Sequence, residues 1–543
     1  MQRASDVALR YSTASIDKLN TEAYVGVATP KIDLEGGALR AGGPPVYTSR
    51  EVLALLFQYG CAGILLGGFS SISYPLFTGY FHMTGAQSNS VRTLMGLGWT
   101  CKVFFGLLTD CVPICGYRRK SWIIIGWLCC LAVMLGIACM DLGRPYYGDP
   151  ALLDIPPENL TAADLAQINE SAPTTGGTLA ILIGLATAFY VREPASVRGR
   201  IQSLAYAVRT GFCTISMVIV GVCMNSPRFA GSFDWDFGVN TIFIVFCAPC
   251  VLMPPVAFFF IHDTKMPPFD LRSYLQQTWA TIQRRVTWQL VLFIFFSQLL
   301  GGYSLTTTAG PYVMMVWANV KNLQSQIQAM AYAGVLSIVV AIIGKYGTHW
   351  NWRVVVVSTT LSVVVIDSIV QFCTIFNVWR SPYFYLGAPL VESVPLGIQY
   401  IVTTFLIAEV AGVGNEGMMV GLFMTTFNLP STVGPVLANM LYASFEVDAT
   451  SISADSMATR YQVAYSYVIY YAAMLLSCVT VVLLPPQKAE LHQLQRDAGS
   501  YPKVAIAVCI FIVVMFVVAV TGSVLSMFPS TSCLLLAGGS GCE

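Results

Sequence analysis

Charge is what this sequence holds least of. Only 10% of its 543 residues are Asp, Glu, Lys or Arg, against about 25% in an ordinary soluble domain. A soluble surface cannot be built from so little. The formal net charge of +1 offers no basic face to neutralise phosphates, which excludes nucleic acid as a partner. Histidine is sparse as well: His82, His262, His349 and His492 are scattered in or near loops. No Gly-rich phosphate loop is found, so neither an enzyme constellation nor ATP use is expected. No apolar core of the signal-peptide type follows Met1. Cysteine is not lacking, with 16 in the chain. Most of them, including Cys61, Cys129, Cys130, Cys139, Cys247 and Cys509, lie in apolar runs, where a thiol packs as a small apolar group. No metal site and no cofactor is expected.

What the chain does have is apolar content, 55% of residues, cut into runs that each cover about 30 Å of hydrocarbon at 1.5 Å per residue. The runs fall at 52–77, 91–112, 121–140, 178–190, 204–224 and 239–261, then at 288–310, 328–344, 354–376, 386–413, 418–444 and 463–484. The expected fold is an all-α polytopic membrane protein with two six-helix halves, 51–262 and 287–485, joined by a polar linker, 263–286. Residues 1–50 read as a flexible cytoplasmic tail. A polar stretch, 486–503, leads to a thirteenth span, 504–527, and an extracytoplasmic tail, 528–543.

The positive-inside rule places the N-terminus in the cytoplasm. Arg118, Arg119, Lys120, Arg198, Arg200, the linker, Lys345 and Arg353 then lie inside. Arg144, Arg228, Lys321, Arg380 and Arg460 lie outside, accompanied by acids such as Asp149, Asp154, Glu158 and Asp164. The outside connection 141–177 holds two sequons, at Asn159 and Asn169, which are candidate glycosylation sites. On the outer tail, Cys533 and Cys542 either oxidise to a disulfide or remain free thiols. The plasma membrane is the expected location, and a monomer the expected state.

Charges inside the spans are the functional suspects, because each costs about 3 kcal/mol to insert. Lys102 and Asp110 are separated by about 12 Å along one helix, too far to pair, so Lys102 either binds an anionic group or pairs with an acid elsewhere. Arg209 lies about two turns into the fifth run, where it either acts at a site or gate or snorkels to the surface. Asp367, in the apolar VVVIDSIVQF, is either a proton-titrating group or a buried hydrogen-bonding one. Glu392 and Glu409 share the tenth run; Glu409, near its cytoplasmic end, is a gate or a solvated acid. Glu416 sits in a Gly-Asn-Glu-Gly turn. Gly63 and Gly67 form a GxxxG packing notch.

Two six-helix halves about a cytoplasmic linker have the layout of the major facilitator superfamily. The run Gly106, Leu108, Thr109, Asp110, Gly116, Arg118 and Arg119 resembles that superfamily's signature loop. There Gly106 allows close helix approach, Gly116 supplies the turn, and Asp110 with Arg118, Arg119, Arg198 and Glu416 forms a conformational latch.

Trp99 and Lys102 before it, with Cys111-Val112-Pro113-Ile114 extending it, make it similar to the folate-biopterin transporter family. Further agreeing stretches are Glu193-Pro194, Arg198-Gly199-Arg200-Ile201-Gln202 with Arg209, Gly414-Asn415-Glu416-Gly417, and Thr426-Phe427-Asn428-Leu429. Pro485-Pro486-Gln487-Lys488-Ala489-Glu490 and the Cys533 to Cys542 tail resemble the branch with an additional C-terminal span. The resemblance implies a secondary transporter of folate, pterin or a related small organic anion, with proton coupling. On that reading the expected substrate contacts are Lys102, Arg209 and Tyr303, with coupling through Asp367 and Glu409. Tyr59, Tyr74 and Tyr312 are further aromatics on or near the first and seventh spans, either stacking faces or interface anchors. The fourth run departs from the family: AILIGLATAFY at 180–190 carries none of the usual acids. A carrier of an unrelated solute, or a non-transporting sensor that binds the ligand, are the alternatives.

Overall fold

The computed structural model describes residues 48–101, 104–105, 108, 112–117, 120–149, 152, 161–190, 200–261, 271–302, 304–347, 350–410, 416–496, 499–528, 530–537, 539 and 541–542. Among them there is no β-strand, only isolated bridges. The first half contains α1 (Arg50–Ile72), α2 (Gly85–Thr100), α3 (Lys120–Cys139), α4 (Ala172–Tyr190), α5 (Arg200–Cys223) and α6 (Gly238–Phe260). The second contains α7 (Arg285–Gly301), α8 (Asn322–Tyr346), α9 (Trp352–Ile375), α10 (Pro382–Val410), α11 (Glu416–Tyr442) and α12 (Met457–Ser477), followed by α13 (Pro502–Leu525). Eight of the described helices, α13 among them, are long and apolar enough to cross a membrane.

Side-chain caps set several helix starts. The Ser49 hydroxyl accepts the Val52 N–H at 3.3 Å, and Thr84 with Gln87 closes a capping box at α2. Prolines inside α6, α10 and α11 are tolerated because neighbouring helices and side chains serve the backbone groups they free. Two boundaries differ from the hydropathy reading. Helix α2 begins at Gly85 rather than 91, because its polar first turns, Ser88, Asn89 and Ser90, are buried against another helix. The apolar run 288–310 is not one helix: α7 stops at Gly301, and the chain resumes at Gly310–Tyr312 and a wide turn, Val313–Trp317. Helix α1 also ends in such a π-type segment, Ser73–Tyr80.

The halves repeat one packing pattern. In the first, α1 packs on α5 and α6, α3 on α4 and α6, and α2 on α4; in the second, α7 packs on α11 and α12, α9 on α10 and α12, and α8 on α10. Gly63 and Gly67 let α1 approach α5; a Cβ on Gly67 would lie 2.6 Å from the Cys213 carbonyl oxygen. These glycines are a packing notch.

The halves meet through α2 against α11 and α5 against α8. Tyr80 donates to the Gly143 carbonyl at 2.8 Å, which fixes the 141–149 connection at the end of α1; this end of the bundle is termed the loop rim. The described bonds between halves gather there. Asn89 donates to Asn439 at 3.2 Å, Tyr74 to the Val320 carbonyl at 2.6 Å, Tyr312 to the Met83 carbonyl at 2.8 Å, and Gln326 to the Ser71 carbonyl at 3.2 Å. Helix α13 lies over the same seam, on α11 and α2.

Candidate functional site

Asp367 lies on α9, 8% exposed, with both carboxyl oxygens served. Gln371, one turn further along, donates to Oδ1 at 3.0 Å, and Tyr471 of α12 donates to Oδ2 at 2.9 Å. Tyr385 of α10 is within electrostatic reach of Asp367 and beside Gln371 and Tyr467. A second carboxylate, Glu392 on α10, is 3% exposed and within electrostatic reach of Tyr332 of α8 and Tyr470 of α12. The Tyr470 hydroxyl is buried without a hydrogen-bond partner, a state that costs about 1–3 kcal/mol. The second half thus keeps two carboxylates inside a shell of phenols.

The first half presents cations. The Arg209 guanidinium of α5 stands 5.6 Å from the Trp99 ring centroid, in cation–π geometry, and Trp99 in turn meets Tyr190 edge-on at 6.4 Å. The sequence reading missed Arg92. It lies on α2 between the fully buried Val91 and Thr93, yet its own side chain is exposed. Its charge reaches Tyr385 of the other half. An arginine at this depth cannot face lipid cheaply, and its charge is felt by a phenol of the opposite half. Arg92 lies about 10 Å, and Asp367 about 12 Å, from helix ends at the loop rim, so the two occupy similar depths. The signal in the sequence was a lone arginine just inside the apolar run 91–112, easily taken for a span end.

Of the other expected site residues, Lys102, Gly106, Asp110, Arg118, Arg119, Arg198, Asn159 and Tyr303 lie outside the described residues. Gly116 has φ +79° and follows Cys115 at φ +56°, in a tight turn where Ile114 and Tyr117 exchange hydrogen bonds of 3.1 and 3.0 Å. Glu409 and Glu416 flank the α10–α11 connection, near the end of one helix and at the start of the next. Asn169 donates to the Arg144 carbonyl at 2.8 Å, and its carbonyl accepts the Ser171 hydroxyl at 2.7 Å. Cys533 and Cys542 are joined in a disulfide. Tyr74 and Tyr312 spend their hydroxyls on bonds between the halves. Cys247-Ala248-Pro249-Cys250 has a two-residue spacing that the sequence reading passed over; there the Cys250 thiol meets Cys130 at 3.7 Å, and no metal-ligand group forms among the described residues.

With this geometry in place, the likenesses to known proteins can be stated. A family model described as the BT1 family matches residues 65–163. The folate-biopterin transporter of Synechocystis sp. (strain ATCC 27184 / PCC 6803 / Kazusa) is 22% identical over 413 residues, covering 72% of this chain and 75% of that protein. A solved D-xylose-proton symporter aligns over 80% of this chain and 98% of its own, with a TM-score of 0.54 at 12% identity. The fold is the major facilitator fold. An inward-open structure of the xylose transporter XylE from E. coli aligns over 82% of this chain and 100% of its own, with a TM-score of 0.49 at 14% identity. The BT1 match bears out the resemblance to folate-biopterin transporters and supports a membrane transporter of this type. It covers the Trp99 to Lys120 segment on which that resemblance rested.

Proposed function

We propose that this chain is a secondary transporter that moves folate, a pterin or a related small organic anion across the plasma membrane by alternating access, coupled to protons. The observation that carries this reading is the division of charge among the described residues: Arg92 and Arg209 in the first half, Asp367 and Glu392 in the second, with the charge of Arg92 reaching Tyr385 of the other half.

Alternating access requires contacts that differ between states. An anion on the first-half cations cancels the charge that those helices present. A proton on Asp367 cancels the opposite charge in the second half. Loaded with both, the carrier can occlude without an uncompensated charge; half-loaded, it pays the cost of burying one. In this reading Lys102, Arg209 and Arg92 take the substrate's negative groups, Tyr303 offers a ring face, and Asp367 and Glu409 carry protons. Gly106, Asp110, Gly116, Arg118, Arg119, Arg198 and Glu416 form the latch on the cytoplasmic side. In the fourth helix Ala180, Ile183 and Ala186 are fully buried in packing.

The test is uptake by the full chain in proteoliposomes, using labelled folate and a panel of organic anions with and without a pH gradient. Accumulation that follows the gradient is expected, and Lys102→Ala should lower it about 100-fold, the cost of leaving a carboxylate unpaired. Unchanged affinity and rate in that variant would remove Lys102 from the site. Uptake of another anion in place of the pteridines would reassign the substrate, and binding with no accumulation under either condition would make the protein a sensor.

A further inference from the structure

We propose that α13 and the tail beyond it form a strap that holds the loop-rim side of the seam shut, with Met527 as the knob that must leave the first half before that side can open. This rests on the reading that the halves move by alternating access.

The strap is fastened to the second half at several levels. At its start, the Tyr501 N–H donates to the Gln283 carbonyl at 2.9 Å, and the Ser500 hydroxyl donates to Gln283 Oε1 at 2.7 Å, just ahead of α7. Further along, Phe511 meets Phe295 of α7 edge-on at 5.1 Å. Ala519 is fully buried in one core with Phe295, Leu299 and Val433. At Gly522 a Cβ would lie 2.6 Å from Val436 Cγ1 of α11, the close approach that a small residue permits between helices.

Five residues on, the same chain is embedded in the other half. Met527 is fully buried in the first-half core, and Val524 and Phe528 pack against that core. The Met527 backbone lies on α4, where a Cβ on Gly177 would be 2.8 Å from the Met527 carbonyl oxygen. Lower on α13, Phe516 meets Phe104 at 6.1 Å, and Phe104 is 52% exposed, a contact with room to slide.

The tail buckles the strap. The Thr531 hydroxyl donates to the Leu525 carbonyl at 2.6 Å, and the Gly541 N–H donates to the Cys533 carbonyl at 2.8 Å within the loop closed by the Cys533–Cys542 disulfide. That loop sets the Leu535–Ala537 turn on α11 and α13, with the Leu536 carbonyl oxygen 2.8 Å from where a Gly522 Cβ would stand. Met527 is thus bracketed by two contacts to the second half, Gly522 before it and the Leu535–Ala537 turn after it. When the halves part at the rim, α11 carries both brackets away from α4 and draws Met527 from its socket. The contact exists only while the rim is closed, so it weights the equilibrium toward that state.

Pulsed electron paramagnetic resonance on the purified full-length chain tests this without a substrate. Spin labels go at Asp234 and Glu446, exposed rim residues of opposite halves, as unnatural amino acids that leave the native cysteines alone. Met527→Ala should raise the odds of the long, rim-open distance about tenfold, equal to about 1.4 kcal/mol, as the loss of a packed side chain does. Met527→Leu, close in volume, should stay with wild type. Cys542→Ser should raise the odds by a smaller factor, and it decides the matter alone if Met527→Ala does not fold. Distances that are the same in wild type, Met527→Ala and Cys542→Ser overturn the strap. Folate uptake in proteoliposomes separates the two readings. A wild type that moves no folate, with distances that respond to Met527, removes the proposed substrate and keeps the strap. A wild type that moves folate, with distances and rates unaltered in every variant, removes the strap and leaves the transporter reading intact.

Discussion

The first half pairs α1 with α5 and α3 with α6, the second pairs α7 with α11 and α9 with α12, and within this shared frame the charges inside the described spans differ in sign. Arg92 and Arg209 sit inside the first, Asp367 and Glu392 inside the second. Even the π-type turns repeat, at Ser73–Tyr80 after α1 and Val313–Trp317 after the interrupted α7. Packing is therefore the duplicated property, and charge the divergent one. Helix pairing depends on shape, which many apolar side chains supply, whereas a buried charge must be matched one by one against a partner. A protein made of two similar bundles can thus give one the task of holding an anion and the other the task of holding a proton.

The largest effect should come from removing the charge that links the halves. Arg92→Ala should reduce folate uptake about 100-fold, the range expected when a desolvated charge loses its partner, and Arg92→Lys should restore part of it. Initial uptake rates in proteoliposomes measure both; an Arg92→Ala rate equal to wild type would leave the division of charge without a functional meaning.

A smaller effect should follow from disturbing the shared frame. Gly67→Val would drive a branched side chain into the Cys213 and Ser216 backbone side of α5. It should cost about 1–3 kcal/mol, as overpacking does, and lower the thermal midpoint of the purified protein. Because Gly67 packs on α5 of the first half and Asp367 lies in the second, the titration of Asp367, followed by infrared spectroscopy, should not move. A shift there would mean that packing and charge are not separable.

The smallest effect should come at the loop rim, where each half also carries an ion cluster. Arg228 pairs with Asp236 in the first half, and Arg380 and Arg460 both reach Asp455 at 2.8 Å in the second. Burial alone would raise the Asp455 carboxyl, but hydrogen bonds from Arg380 and Arg460 outweigh it and hold the group at about 2, below its ordinary 3.8. A depressed value means stability that is present above the unfolded value and is lost as pH falls from about 4 toward 2. Asp455→Asn should therefore cost about 1 kcal/mol at neutral pH and should flatten the acid limb of unfolding followed by tryptophan fluorescence. An unchanged acid limb would show that the cluster contributes nothing to the rim.

How far the sequence could be read depended on which physical term decided each feature. Runs of about 20 apolar residues are set by bilayer thickness, so the run that became α9 was visible, and so was Asp367 within it, because nothing polar stands near it in the chain. The start of α2 was hidden. Ser88, Asn89 and Ser90 are polar yet buried, and α11 bonds two of them through Asn439, which accepts from Asn89 at 3.2 Å and donates to Ser90 at 3.1 Å. Arg92 was hidden for the same reason: beside those polar residues it reads as the edge of a span. The break in the seventh run was also unreadable, because the ends of the two segments are held by partners distant in sequence, Tyr312 on Met83 and Thr307 on Ser466.

The linear sequence by itself determined that this protein is a bundle of apolar helices with few charges inside, because the transfer of side chains and backbone into hydrocarbon is decided locally, residue by residue. It also made a family likeness legible at Trp99 to Lys120, a segment that lies inside the matched residues 65–163. Only the tertiary structure decided which charges face one another. The cost of a charge inside a bundle depends on its surroundings, and the charge of Arg92 reaches Tyr385, almost 300 residues further along the chain.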